Sequence, residues 1–375
     1  MESFNETYEQ CYVTFTVEET LSYLYTPFAK YFVLVIVPIV FAFGLFANGS
    51  FLYVVYRNQA MRTMTNFYLV NLAIADGLLL FAGGLQYSWS YAHSAGLNFG
   101  GSFTFHSPAG CTIPNMLIYF CYFASVFLIT LVTTERYLAI CHTMRYRISR
   151  KRAIFSIVAA WVMALLFAGF EIPFFVVENV CVSWPPEVEY SEYPTVIPVC
   201  FHGCDWCANV VRYADILQYL LAVPAVIFMS IAMVVKLRRS LTNNCSIRSA
   251  KSIQARENLV HMLQMNALIF FLCLTPYEVI NLNGLAGEDF LNAHQSHYIS
   301  WIGRITMLIN SAVNPVIYSI VNSSYRNAFL KVCCCLCRKR AANTDYELVN
   351  SQAGRQDAIN SRTSHLSNSS ATELQ

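Results

Sequence analysis

Tyr31–Tyr56 reads YFVLVIVPIVFAFGLFANGSFLYVVY, 26 residues without an Asp, Glu, Lys or Arg, closed by Lys30 on one side and Arg57 on the other. A helix needs about 20 apolar residues to cross the hydrocarbon of a bilayer, so this stretch is long enough to span. Six further stretches follow it. They run from about Asn66 to Tyr91, Pro114 to Thr134, Ala153 to Phe170, Ile216 to Val235, Leu259 to about Leu285, and His297 to Val321. Asp76, Glu278 and Arg304 are the ionisable interruptions in the second, sixth and seventh. Each stretch is too uniformly apolar for a strand of an outer-membrane barrel, which alternates over about ten residues. The expected fold is an all-α membrane protein, a seven-transmembrane helix bundle with a short amphipathic eighth helix.

Composition agrees. Of 375 residues, 56% are apolar and only 12% are charged, for a net charge of +2. Soluble domains carry about 25% charged residues. That balance excludes a soluble enzyme and a disordered chain, and it leaves no basic domain to bind nucleic acid.

The basic residues set the orientation. Arg57, Arg62, Arg145, Arg147, Arg150, Lys151, Arg152, Lys236, Arg238, Arg239, Arg248, Lys251 and Arg256 follow spans one, three and five, and Arg326, Lys331, Arg338, Lys339 and Arg340 follow span seven. The opposite segments carry acids instead, among them Glu2, Glu6, Glu9, Glu187, Glu189, Asp205, Glu288 and Asp289. The expected topology is multi-pass in the plasma membrane, N-terminus outside and C-terminus in the cytosol. No basic region leads into an apolar one before residue 30, so no cleaved signal peptide is expected. The domain reading is an extracellular segment at 1–29, the seven-helix bundle at 30–335 including an amphipathic helix at 323–331, and a disordered cytoplasmic tail at 336–375. In that helix Tyr325, Phe329 and Leu330 should face inward, with Arg326 and Lys331 at the headgroups.

Cysteines fall into two sets. Cys11, Cys111, Cys181, Cys200, Cys204 and Cys207 lie on the expected outer side, where disulfides persist. Cys333, Cys334, Cys335 and Cys337 crowd against Arg338, Lys339 and Arg340, a setting for palmitate beside anionic lipid, with metal binding as the alternative. Asn5-Glu-Thr is an expected glycosylation site, whereas the same pattern at Asn48, Asn244, Asn322 and Asn368 falls in membrane or cytosol.

An ionisable group in hydrocarbon costs at least about 2.5 kcal/mol, so polar residues within spans are functional candidates. Asn48, Asn71-Leu-Ala-Ile-Ala-Asp76, Cys111, Glu135-Arg136-Tyr137, Trp161, Pro224, Phe270 with Cys273-Leu-Thr-Pro276, and Asn314-Pro-Val-Ile-Tyr318 occur one set per span, in order. Over about 30–335 this resembles the rhodopsin-like (class A) G-protein-coupled receptors. The resemblance implies a ligand pocket outside, a heterotrimeric G protein inside, and no catalytic residues. The activation switch would use Glu135, Arg136, Tyr137, Phe270, Leu274, Pro276, Asn314, Pro315 and Tyr318. Asp76, Ser125, Asn310, Ser311 and Asn314 match the family's sodium pocket, where sodium would be an allosteric ligand, and no cofactor is expected; a protonated Asp76 in an ion-free polar network is the alternative. Cys111 would tie span three to the second outer loop. Cys200, in the extended-looking run Thr195–Phe201, is the preferred partner, with Cys181 next, and Cys204 and Cys207 would bridge to Cys11 or Cys181.

Four positions depart from the family pattern: Leu274 for a tryptophan, Ala232 for a tyrosine, Arg256 for a glutamate, and His142-Thr143-Met144 for a proline before a bulky apolar residue. These bear on how tightly the switch is held. Ile118 replaces the aspartate of amine receptors and Leu308 the retinal lysine of opsins. The remaining pocket candidates are Tyr119, Tyr277, Glu278, Asn281 and Arg304. Three of them, Tyr119, Tyr277 and Arg304, fall where thyrotropin-releasing-hormone-type receptors contact a short peptide. Arginine with tyrosines suits a peptide carboxyl or amide cap, and a salt bridge from Arg304 to Glu278 or the outer loop is the alternative. The expected ligand is an extracellular peptide; a lipid or small carboxylate metabolite comes second. A transporter or channel would show internal repeats or charged pathways, and neither is present. Ser361, Thr363, Ser364, Ser367, Ser369, Ser370 and Thr372 read as a receptor-kinase and arrestin target.

Overall fold

The computed structural model describes residues 13–94, 96–98, 108–142, 149–186, 191–243, 247–286, 291, 293–323 and 325–331. Two compact units emerge, Met1–Asn322 and Ser323–Gln375.

Six of the described helices are long and apolar enough to cross a membrane: Pro27–Arg57, Met64–Ala92, Ala109–Cys141, Arg150–Phe174, Trp206–Arg239 and Arg256–Leu285. The seventh long helix, Ala293–Val321, has 29 residues. It is less apolar because Arg304, Asn310, Ser311 and Asn314 interrupt it. These are spans one to seven below.

Helices outrun their apolar stretches. Span five is helical over Asp205–Asn243 and span six over Ile247–Leu285, 39 residues each. At about 1.5 Å per residue that is roughly 58 Å, well beyond the roughly 30 Å of hydrocarbon. Charge ends what lipid tolerates, but Arg, Lys, Glu and Gln are good helix formers, so the backbone carries on. Starts are set by side-chain caps: Thr63 accepts from the Asn66 amide and Ser149 from the Arg152 amide, each at 3.3 Å. Pro38 has no amide hydrogen, and its ring crowds the carbonyl of Leu34. The preceding turn, Phe32–Ile36, widens to a π-helix with the Val37 amide bonded to the Phe32 carbonyl.

Spans one, two and seven meet along a tight seam. A Cβ on Gly44 would lie 2.5 Å from Leu80 Cδ1 and 2.9 Å from Ala312 Cβ. The close approach lets Asn48 Nδ2 donate to the carbonyls of Gly44 and Ser311, at 2.9 and 2.8 Å. At one end of this seam Tyr25, Phe32, Tyr87 and Trp301 form a buried aromatic cluster.

A small sheet covers the same end. Strand β1 (Val13–Thr14) runs parallel to β2 (Phe175–Ser183), which pairs antiparallel with β3 (Val196–His202) in the register Val177↔Cys200. The second loop is thus a hairpin, and Cys200 on β3 is bonded to Cys111 on span three. Cys181 is disulfide-bonded as well. Cys204 and Cys207 are not bridged to Cys11 or Cys181; they pair with each other, Cα to Cα 5.2 Å. The reason is local: they flank the first turn of span five, where residues three apart share a face.

The second unit contains a helix at Tyr325–Lys331, inside the expected 323–331, with Arg326, Leu330 and Lys331 exposed. Cys333, Cys334, Cys335, Cys337, Asn5 and the serines and threonines of 361–372 lie outside the described residues.

Candidate functional site

Two buried polar assemblies occupy the bundle. The first lies between spans one, two, three and seven. Asp76, fully buried, accepts from Asn314 Nδ2 at 2.5 Å and from Ser125 Oγ at 3.3 Å. Among the described residues, Ser311 Oγ, Asn314 Oδ1 and Asn310 Oδ1 have no hydrogen-bond donor, although all three residues are at most 2% exposed. One carboxylate beside uncommitted hydroxyl and amide oxygens is a donor set for a hard cation such as sodium, which takes oxygen ligands only. No group of three or more His, Cys, Asp and Glu suited to another metal occurs among the described residues. A further pair fixes the frame: Trp161 Nε1 donates to Asn71 Oδ1 at 3.0 Å, joining spans two and four.

Away from the hairpin, span three ends on the Glu135–Arg136 pair. Arg136 Nε lies 2.8 Å from Glu135 Oε2, with the acid 2% and the arginine 16% exposed. Tyr137 packs with Met233, Leu237 and Val260 of spans five and six. Tyr318 is buried against the Phe51 ring, and Phe270 and Leu274 are buried in span six. Near the Pro276 break, Thr306 of span seven donates to the Cys273 carbonyl at 2.6 Å. Gly303 lets the two helices touch there, since its Cβ would come 3.1 Å from the Tyr277 amide nitrogen. Leu274 puts no ring at this contact, so spans six and seven meet through backbone and a hydroxyl. Arg256 is exposed.

The second assembly is a cavity of about 290 Å³ under the hairpin. Tyr119, Tyr277, Asn281 and Arg304 line it, joined by Tyr87, Gln86, Tyr122, Arg212 and Asp215. Arg304 lines the cavity from span seven. Its guanidinium lies over the rings of Trp301 and Tyr87, at 4.9 and 5.6 Å, held by cation–π attraction. Glu278 sits behind the wall, accepting from Tyr122 Oη at 2.8 Å and Asn281 Nδ2 at 3.4 Å. Tyr277 Oη donates to Asp215 at 3.1 Å. Phe175, the first residue of β2, packs tilted against Tyr119, ring centroids 6.3 Å apart, so the hairpin adjoins one side.

Sequence reasoning overlooked Asp215, Glu171, Tyr122, Gln86 and Arg212. Asp215 and Glu171 border the apolar runs that begin at Ile216 and end at Phe170, and so they read as water-facing boundary charges. Both are 1% exposed. The available signal was distance from Pro224, since Asp215 lies nine residues before it, too few for span five to have emerged from the bundle.

A bundle of long apolar helices around a buried polar core, with a ligand-sized cavity at one end and a paired arginine at the other, is the architecture of a multi-pass membrane protein, and its family makes it a receptor and not an enzyme. The chain belongs to the rhodopsin family of seven-transmembrane receptors: residues 47–318 match the family described as "7 transmembrane receptor (rhodopsin family)". It is similar to human neuromedin-U receptor 2, 28% identical over 331 residues, 84% of this chain and 76% of that one. Similarity extends to the thyrotropin-releasing hormone receptor of Gallus gallus, 28% identical over 350 residues covering 84% and 82%. Somatostatin receptor type 5 of Bos taurus is 26% identical over 313 residues covering 80% and 76%.

Proposed function

We propose that this chain is a plasma-membrane receptor for a short extracellular peptide, with the hairpin end outside, the Arg136 end in the cytosol, and a heterotrimeric G protein as partner. The observation that carries the ligand class is the cavity wall. Tyr119, Tyr277, Asn281 and Arg304 surround a space of about 290 Å³ with aromatic faces and directed polar groups. Peptides offer carbonyls, amides and side chains to such groups, whereas a lipid needs a long apolar channel. Relatives named for neuromedin U, thyrotropin-releasing hormone and somatostatin support the same class.

In this reading Arg304 takes a carbonyl or carboxyl cap, Asp76 with Ser125, Asn310, Ser311 and Asn314 holds sodium, and Cys111–Cys200 fixes the hairpin over the site. The Glu135-Arg136-Tyr137 end, Phe270, Leu274, Pro276 and the Asn314–Tyr318 turn carry the rearrangement to the G protein. Receptor kinase and arrestin act on the tail, palmitate on Cys333, Cys334, Cys335 and Cys337 meets membrane lipid, and Asn5 is glycosylated.

The test is ligand-dependent nucleotide exchange on a co-expressed G protein, screened with synthetic peptides and with tissue extract. A peptide agonist, or extract activity abolished by protease, supports the proposal. Extract activity that survives protease and partitions into organic solvent refutes it in favour of a lipid.

A further inference from the structure

Three buried carboxylates from three different helices gather at one side of the hairpin-end cavity: Asp215 on span five lines it, while Glu171 at the end of span four and Glu278 on span six lie near its lining residues without lining it themselves. They are 1%, 1% and 3% exposed. The amide nitrogen of Asn281 sits between two of them, 3.5 Å from Asp215 Oδ2 and 3.4 Å from Glu278 Oε2. Asp215 in turn neighbours Glu171 electrostatically. Among the described residues none of the three forms an ion pair; the pairs present are Arg136–Glu135 and His261–Glu257. The nearby cations are engaged elsewhere, Arg304 over Trp301 and Tyr87, and Arg212 on Asn209 Oδ1 at 3.0 Å.

Acidic residues in a group do not by themselves make a site. Here the cavity adds an independent sign. Asp215 lines it, and Asp215 Oδ1 has no hydrogen-bond partner among the described residues. Both carboxylate oxygens of Glu171 are equally without one. Each hydrogen bond to Asp215 and Glu278 comes from a neutral donor, Tyr122, Tyr277 or Asn281, with the acid as acceptor. These donors orient the carboxylates but bring no positive charge. Buried carboxylates with open lone pairs and no counter-ion are costly until they take up a proton or meet a cation, and a cationic ligand can displace that proton.

We propose that this wall is a subsite for a cationic group of the ligand, the guanidinium or ammonium of a basic side chain, received by Asp215 and backed electrostatically by Glu171 and Glu278. It rests on reading the cavity as the peptide site and sharpens it. The peptide is basic: its cation meets Asp215 on span five, beside span six, while Arg304 on span seven meets a carbonyl or carboxyl group. A guanidinium has planar forked donors that match the two oxygens of one carboxylate, so arginine fits Asp215 better than lysine.

The experiment uses the purified full chain in detergent and two probes of one shape whose α-amines are acetylated, Nα-acetyl-L-argininamide and the uncharged Nα-acetyl-L-citrullinamide (hereafter argininamide and citrullinamide), at constant ionic strength. Argininamide should raise the thermal unfolding midpoint saturably, at a concentration at least about tenfold lower than citrullinamide, as expected for a hydrogen-bonded charge pair. Asp215→Asn and Glu171→Gln, which keep shape, should each erase most of that preference. Independently, in the unaltered receptor, modification of Asp215 by dicyclohexylcarbodiimide, read by peptide mass, should be slowed by argininamide and not by citrullinamide; this reading stands even if a variant does not fold. Equal behaviour of the two probes, or a preference and protection that ignore Asp215 and Glu171, overturns the proposal. The parent reading fails separately. If argininamide is preferred but no peptide drives nucleotide exchange, the subsite stands and the peptide assignment falls. If a peptide agonist keeps its potency with every Arg and Lys replaced by citrulline and norleucine, the reverse holds.

Discussion

Replacing Glu135 by glutamine should raise ligand-independent signalling about fivefold. In the structure Arg136 Nε is held 2.8 Å from Glu135 Oε2, and the acid is 2% exposed. The second carboxylate oxygen, Oε1, has no partner among the described residues, so one charged hydrogen bond is what ties the arginine to its neighbour. Glutamine keeps the shape and an acceptor oxygen but drops the charge. A hydrogen bond to a charged group is worth about 1.5–3 kcal/mol and a neutral one about 0.5–1.5, so the loss is about 1 kcal/mol. That is a factor of about five in the equilibrium between a retained and a released Arg136. The assay is nucleotide exchange on a co-expressed G protein without ligand, normalised to surface receptor. The unfolding midpoint of the purified variant should hold or rise, because burying a neutral amide costs less than burying a carboxylate. Basal exchange that stays level or falls at equal expression refutes the reasoning. The ends of spans three, five and six would then be held by the packing of Tyr137 against Met233, Leu237 and Val260.

Further tests address other parts of the molecule. Arg256→Glu places a carboxylate at the exposed end of span six and should lower basal exchange, by a factor of about five at most since an exposed pair is worth about 1 kcal/mol or less; a rise would make Arg256 a membrane-surface cation only. Gly44→Ala should cost about 1–3 kcal/mol by forcing Leu80 and Ala312 apart, while Gly49→Ala, where a Cβ meets nothing within 4 Å, should be neutral or stabilising in the same thermal unfolding assay. Exchanging sodium for N-methylglucamine at fixed ionic strength should lower the unfolding midpoint, by about 1.4 kcal/mol where sodium is tenfold above its dissociation constant; Asp76→Asn should remove the difference, and a persisting difference would place the ion elsewhere. Cys200→Ser should cost about 2–5 kcal/mol because Cys111–Cys200 closes a separation of 89 residues. Opening Cys204–Cys207, a separation of 3, should cost far less in the same assay.

The seven spans and their family were legible in the sequence because the bilayer imposes a requirement that each segment meets by itself. A helix either is or is not apolar over about 20 residues, and the motifs Asp76, Glu135-Arg136-Tyr137 and Asn314–Tyr318 are each local to one helix. Part of the cavity was legible for the same reason: Tyr119, Tyr277, Asn281 and Arg304 lie inside apolar runs, where a polar residue stands out. Which residues meet across helices was not legible. The Cys204–Cys207 pair depended on a helix that starts at Asp205, eleven residues before the apolar run begins. That same continuation buries Asp215, and the end of span four buries Glu171, although both look like boundary charges along the chain. Arg304 could have faced Glu278 or the aromatic rings; Trp301 lies within reach on its own helix, three residues earlier, but only the packing of span two on span seven brings Tyr87 beneath it. Apolar length is summed along one helix and can be counted in the sequence. The electrostatic surroundings of a buried charge are summed over all the helices around it, and only their packing decides them.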